Sequence, residues 1–170
     1  MTINFHIVKN ISNLALLQNI EKRAAEQFKS VGYDSSNWSM IPLESLKRYC
    51  DDQRLWVAVN DEHLPIGFAA IDIYNPYIHL EELDVDPVFQ QQGVASALLK
   101  EVITLAQQLK VKAITLRTFK TTAWSVQLYK KFGFKITDEK SNHILTMINN
   151  EMSIGLPLAD RITMILRCLP

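Results

Sequence analysis

The stretch LDVDPVFQQQGVASALLK, Leu83 to Lys100, decides the fold. It passes from an apolar alternation ending at Val85, through Pro87 and the glutamines Gln90, Gln91 and Gln92, to Gly93 and then an apolar repeat with helical spacing. A helix start leaves its first N–H groups without intrahelical partners, and its dipole favours an anion there. Gly93 has no side chain and Ala95 a small one, so the N–H groups of Gln90 to Ser96, Val94 included, can converge on a phosphate. The segment is neither GxGxxG nor GxxxxGK[ST], which argues against a dinucleotide or nucleoside triphosphate held in the usual loops. A turn glycine that only satisfies backbone geometry is the alternative reading.

Upstream of this stretch, Ile3 to Val8 alternates as a first strand. Ile11 to Lys29 then carries Leu14, Leu17, Ile20, Ala24 and Phe28 at helical spacing, with Ser12 as its cap. VGYDSSNWSMIP reads as a loop before a short helix from Leu43 to Cys50. Residues 55–59 and 66–74 form a hairpin around the turn Asp61 to Pro65, and a further strand runs from Tyr77 to Val85 after Asn75 and Pro76. Downstream, Val94, Ala97, Leu98, Val102, Leu105, Ala106 and Leu109 make one face of a helix. Strand Ala113 to Phe119, helix Ala123 to Phe132 with Gly133 as its left-handed cap, and a strand from Phe134 to Ile136 follow. Ile144 to Ile148 extends the sheet, and residues 162–169 make a last strand that either completes it or pairs across a dimer.

At 170 residues the chain suits a single domain spanning 1–170. Hydrophobic residues make up 48% and charged residues 21%, an ordinary globular composition. Lys plus Arg balances Asp plus Glu at 18 each, so no overall field recruits nucleic acid or an anionic membrane. Cys50 and Cys168 lie far apart without metal-ligand spacing, and His6, His63 and His143 are scattered, so no metal site is expected. The start MTINFHIVKN lacks a basic segment followed by an apolar run, and no run of roughly 18 apolar residues occurs, so the expectation is a cytoplasmic protein.

From Thr121 the chain reads TTAWSVQLYKKFGF, ending at Phe134. This segment and the glycine turn, in this order, resemble the GCN5-related N-acetyltransferase (GNAT) family. Gln90, Gly93 and Ala95 match its acyl-CoA signature [Q/R]xxGx[G/A]. Leu128, Tyr129, Lys131, Gly133 and Phe134 match its later LYxKxGF helix. The resemblance implies a mixed α/β (α+β) chain with the acyl-CoA N-acyltransferase fold: a central, mostly antiparallel mixed sheet flanked by helices. It also implies acetyl-CoA as acyl donor and a primary amine of a small molecule or peptide as acceptor, in a monomer or homodimer. Three positions depart from the family pattern: Gln91 and Gln92 stand where many members carry a basic residue, Thr122 where Asn is common, and Ala95 where a second glycine is frequent.

Acyl transfer from a thioester to an amine needs a neutral nucleophile, a polarised carbonyl and a proton for the departing thiolate. The resemblance gives Tyr129 the last role, with core packing as its alternative. It places the general base on the strand IHLEELDV, where Glu82 is the first choice and His79 and Glu81 stand behind it. Strict alternation sets His79, Glu81, Leu83 and Val85 on one face and Glu82 and Asp84 on the other, but a bulge shifts such parity, so the choice stays open. Main-chain groups of Leu83, Asp84 and Val85 would meet the thioester and the pantetheine arm. Thr122 and Trp124 would lie along the cofactor, while Trp38, Trp56, Tyr33 and Tyr74 line an acceptor pocket or pack in the core. Arg117 reaches the adenylate phosphates or pairs with an acidic neighbour. The alternative function is an inactive acyl-CoA-binding sensor of the same fold.

Overall fold

Apolar runs become strands and helically spaced segments become helices across residues 3–168, which the computed structural model describes. The elements are β1 (Phe5–Val8), α1 (Ala15–Ala25), α2 (Leu43–Asp51), β2 (Leu55–Asn60), β3 (Pro65–Tyr74), β4 (Tyr77–Val85), α3 (Val94–Gln108), β5 (Ala113–Phe119), α4 (Ala123–Lys131), β6 (Lys135–Thr137), α5 (Asn142–Ser153) and β7 (Arg161–Arg167). The strands follow the order β1-β2-β3-β4-β5-β7-β6 in a seven-stranded sheet. Pairs β1–β2, β2–β3, β5–β7 and β6–β7 are antiparallel. This is the mixed α/β class with a mostly antiparallel sheet flanked by helices.

The chain divides into two compact units, Met1–Asp72 with Leu80–Leu105, and Ile73–His79 with Ala106–Pro170. In the first, α1 and α2 bury Leu17, Ile20, Leu46 and Tyr49 against Leu55, Val57 and Phe68 of β2 and β3. In the second, β7 pairs with β5 from Ala113↔Arg167 to Phe119↔Arg161 and with β6 from Lys135↔Ile165 to Thr137↔Thr163. With neighbours on both sides, β7 completes the sheet and offers no free edge. Its strand closes at Arg167, short of the expected end, and Leu169 lies outside the described residues.

Several sequence expectations need correction. The helix expected over Ile11 to Lys29 is α1 followed by a 3-10 stretch, Glu26–Val31, that Gly32 ends with φ 90. Ser12 does not cap it; Asn13 Oδ1 accepts from the Ala15 N–H at 3.2 Å. Leu109 falls beyond α3 and is 48% exposed. Ile144 to Ile148 is not a strand but part of α5, which buries His143, Ile144, Met147 and Glu151. Steps of three and four between the last three are helical spacing, which a short apolar run conceals.

Gly67 on β3 shows how tightly this frame holds β4. A Cβ there would meet Asp84 O at 2.9 Å, Val94 Cγ1 at 3.1 Å and Val85 Cγ2 at 3.2 Å. Gly67→Ala is expected to destabilise the fold by about 1–3 kcal/mol, because the nearest atom is backbone and has little room to yield. Urea denaturation checks this.

Candidate active site

Strand β4 has an uneven burial. Ile78, His79 and Leu80 are buried and so is Val85, whereas the four residues from Glu81 to Asp84 are all half-buried. Both faces of this strand therefore open over one short segment. Its carboxylates are nonetheless largely withdrawn from water: Glu81 Oε1 and Asp84 Oδ2 are shut off from solvent with no hydrogen-bond partner among the described residues. A buried acceptor without a donor is costly, and such atoms mark places suited to a donor from outside the chain.

Glu82 and Asp84 form a hydrogen-bonded pair. Burial pushes Glu82 well above the ordinary carboxylate range, and the charges of Asp84 and Glu21 push it further. Burial also raises Asp84, to about 7, while its bond with Glu82 opposes the rise. Two acids this close and this withdrawn from water share protons near neutral pH and do not ionise together. Glu21 of α1 is a third acid here, raised to about 7 by burial, with the Asp84 charge adding to the rise. Its Oε2 accepts the Ile41 N–H at 2.9 Å, which ties α1 to the segment before α2.

Glu81 belongs to a second group. Burial raises it to about 7, with Asp72 adding to the rise and Arg48 opposing it. Asp72 is itself compensated, since Arg48 and Arg54 lie within 3.1 and 3.4 Å and the Tyr49 hydroxyl donates to it at 3.0 Å. Sequence reading missed Glu21 and did not offer Asp84 as a base.

After β4, Asp86 anchors the turn. Its carboxylate accepts the Val88 N–H at 3.2 Å and Arg23 Nε of α1 at 2.9 Å. Gln90 Nε2 donates back to Val85 O at 3.1 Å. Gln91 and Gly93 both adopt positive φ, 58 and 87, so the backbone winds into a concave turn. At α3 the Ala97 N–H bonds Gly93 O at 3.0 Å, which leaves the N–H groups of Val94, Ala95 and Ser96 with no helical carbonyl. A Cβ on Gly93 would find nothing within 4 Å, so the space above the turn is open. These features fit a diphosphate, which the N–H groups of Gln90 to Ser96 would hold. The pantetheine thioester of an acyl-CoA would supply the activated acyl group.

Of the remaining candidates, Tyr129, Thr122, Trp124, Arg117 and His79 lie in the second unit and Trp56 in the first. Tyr129 on α4 is buried and tilts against Phe134 with ring centroids 5.7 Å apart. Gly133, at φ 92, closes this helix as the sequence suggests. Thr122 is fully buried, its hydroxyl donating to Phe119 O at 2.8 Å and lying 2.5 Å from Ser125 Oγ. Trp124 is 44% exposed on the first turn of α4. Arg117 pairs with Glu151 at 2.8 Å and donates to Thr163 Oγ1 at 2.8 Å, the acidic-partner alternative of its two readings. His79 is buried and held to about 3, chiefly by desolvation and then by His143, so it is a neutral imidazole. Trp56 is buried in the core, with Lys9 Nζ 3.4 Å from its ring centroid. Among the described residues no group of His, Cys, Asp and Glu could hold a metal ion, and no helix is long and apolar enough to cross a membrane.

A family model described as the acetyltransferase (GNAT) family matches residues 15–134. The chain belongs to this family. It is 32% identical over 103 residues to the peptidyl-lysine N-acetyltransferase YjaB of Salmonella typhimurium, covering 60% of this chain and 65% of that protein. It therefore spans just under two thirds of that relative's length. Among solved structures, the ribosomal-protein-S18-alanine N-acetyltransferase from Escherichia coli superposes with a TM-score of 0.70 at 19% identity, covering 98% of this chain and 96% of that one. The PaiA N-acetyltransferase from Thermoplasma acidophilum, solved with coenzyme A, gives a TM-score of 0.74 at 16% identity, covering 97% and 99%. These likenesses establish the fold.

Proposed function

We propose that this protein is an acetyl-CoA-dependent N-acetyltransferase that acetylates a primary amine by direct attack in a ternary complex. The observation that carries the reading is the neighbouring acids Glu82 and Asp84, both raised by desolvation and Asp84 to about 7, on the strand that runs into the diphosphate turn. A binding module needs the turn alone; a proton acceptor matched to neutral pH serves turnover. In this reading Asp84 carries the charge, Glu82 holds the shared proton, and the pair takes a proton from the arriving ammonium. The unpaired oxygens of Glu81 and Asp84 favour an acceptor that arrives as a cation. Tyr129 donates a hydrogen bond to the leaving sulfur, and the N–H groups of Gln90 to Ser96 hold the diphosphate.

The test is calorimetric titration with acetyl-CoA, using dephospho-CoA and ATP as controls, followed by a thiol-release assay with amines, amino acids and lysine peptides. Saturable one-site binding with amine-dependent thiol release supports the reading. Failure to bind at millimolar acetyl-CoA overturns it. Tyr129→Phe is expected to lower kcat by about 10- to 100-fold, the worth of a hydrogen bond to a charged group. Its affinity for acetyl-CoA should be unchanged. Turnover equal to that of the parent protein would remove Tyr129 from the mechanism.

A further inference from the structure

A continuous chain of hydrogen bonds links four side chains of the second unit, and the roles assigned above use none of it. Ser141 Oγ lies 2.9 Å from His143 Nδ1, His143 Nε2 lies 2.9 Å from Thr115 Oγ1, and Thr115 Oγ1 lies 2.8 Å from His79 Nδ1. Thr115 is fully buried and both imidazoles are buried, whereas Ser141, at the start of α5, is half-exposed. Tyr74 stacks on the His143 ring at 5.2 Å and Tyr77 packs against it at 4.9 Å, which fixes the plane of that ring. His79 sits on β4 two residues before Glu81. Ser141 and His143 lie beyond the residues that the family model matches.

Thr115 has one hydroxyl proton: it donates either to one imidazole, accepting from the other, or to Ile78 O, 3.5 Å away, accepting from both. Two neutral arrangements make the four side chains one continuous line of donors and acceptors. In the first, His79 Nδ1–H donates to Thr115, Thr115 to His143 Nε2, and His143 Nδ1–H to Ser141, leaving His79 Nε2 bare. In the second, Ser141 donates to His143 Nδ1, His143 Nε2–H to Thr115, and Thr115 to His79 Nδ1, leaving His79 with Nε2–H. The two interconvert when a proton enters at His79 Nε2 and another leaves at Ser141, or the reverse. Neither ring need become an imidazolium. That suits their setting, because burial disfavours the charged form of each ring, and around His79 the Arg117 and Arg161 guanidinium groups oppose it while Glu151 favours it.

We propose that Ser141, His143, Thr115 and His79 form a neutral proton relay that exchanges protons between β4 and the protein surface during acetyl transfer. The proposal rests on the acetyltransferase reading for its role, though not for its existence. Acetylation of an ammonium forms the amide C–N bond and breaks the thioester C–S bond, and the nitrogen sheds two protons. The first goes to the Glu82–Asp84 pair and then to solvent. The second must reach the sulfur. The relay takes that proton at His79 Nε2 while releasing one at Ser141, and returns one when the thiolate departs while drawing one in at Ser141. Two opposite strokes restore the starting arrangement, so the rings never need to flip.

Thr115→Val keeps the shape and cuts the relay; Thr115→Ser restores the hydroxyl. With 15N-labelled histidine, NMR of the parent protein should show His79 and His143 nitrogens at shifts averaged between protonated and bare, moving together. Thr115→Val should fix each ring in one tautomer, lower kcat about 10-fold or more and abolish the curvature of the solvent-deuterium proton inventory, with Thr115→Ser recovering both. A merely structural Thr115 would change stability without moving the proton inventory. Rings fixed in one tautomer in the parent protein would overturn the relay, as would an unaltered kcat and inventory in Thr115→Val. The NMR readout needs no turnover, so a protein that acetylates no amine yet shows exchanging tautomers would sink the acetyltransferase reading and leave the relay standing.

Discussion

Asp84→Asn is expected to lower acetyl transfer by about 10²- to 10⁴-fold, the usual contribution of a positioned general base. Glu82→Gln should cost far less. In the proposed mechanism a glutamine imitates the protonated carboxyl of Glu82, which is raised further than Asp84, whereas asparagine at 84 removes the member of the pair that takes the proton. Neither change touches the turn, so acetyl-CoA affinity should stay the same in both. The pH profile of the parent protein should rise through about 7, where burial sets Asp84 against its opposing hydrogen bond. Stability should move the other way. Because Asp84 ionises at a higher pH in the folded chain than its ordinary value of 3.8, its contribution is complete below that value and is lost as pH rises through about 7. Asp84→Asn should therefore be more stable than the parent protein at pH 8, by about 1–3 kcal/mol, and no more stable below pH 4. Thermal unfolding at the two pH values, beside thiol-release rates, reads both effects. An Asp84→Asn enzyme of full activity would move the base elsewhere.

The same tension between stability and chemistry explains which parts of the site were legible in the sequence. The strand, the turn and the helix start came from local signals: alternation to Val85, Pro87, Gly93, and apolar spacing from Val94. Each is fixed by backbone geometry that a few neighbouring residues determine, and Gly93 at φ 87 and Gly133 at φ 92 take the left-handed conformations that such signals imply. The acids were not legible in this way. Parity placed Glu82 beside Asp84, but only tertiary packing decides that these two bond and that Glu81 answers to Asp72 and Arg48 instead. Glu21 did leave a trace. The α1 stripe steps by three and four through Leu14, Leu17, Glu21, Ala24 and Phe28, so a carboxylate stands on the apolar side of the helix. A charge on a buried stripe is a functional signal that a list of apolar residues passes over. The α5 segment failed for another reason. ILTMI has β-branched content and a strand's length, and its helical form is stabilised by Glu151, whose ion pairs to Arg117 and Arg161 join residues distant in sequence.

Gly93→Leu is expected to abolish measurable acetyl-CoA binding, an affinity loss of at least about 100-fold, while the protein still folds. Two independent costs combine. At φ 87 a residue with a Cβ is strained by about 1–2 kcal/mol, and the turn would relax away from the geometry that aims its N–H groups outward. The side chain would also project into the open space above the turn, where a diphosphate must approach the backbone closely. Since a Cβ there finds nothing within 4 Å beyond its chain neighbours, it meets no clash, and the expected stability loss is mainly the backbone strain. Gly93→Ala separates the two costs: it carries the same strain with little bulk, so it should retain weakened binding. The neighbouring glutamines give a second handle. Gln91 and Gln92 supply no charge, so binding depends on main-chain donors and on the helix end more than on side-chain cations. Gln92→Arg should accordingly tighten acetyl-CoA binding in the parent background, with an increased salt dependence, yet fail to rescue Gly93→Leu. Calorimetry on the three variants and the double change decides the point. Rescue by the arginine would mean that charge, and not the backbone cradle, is what the turn provides.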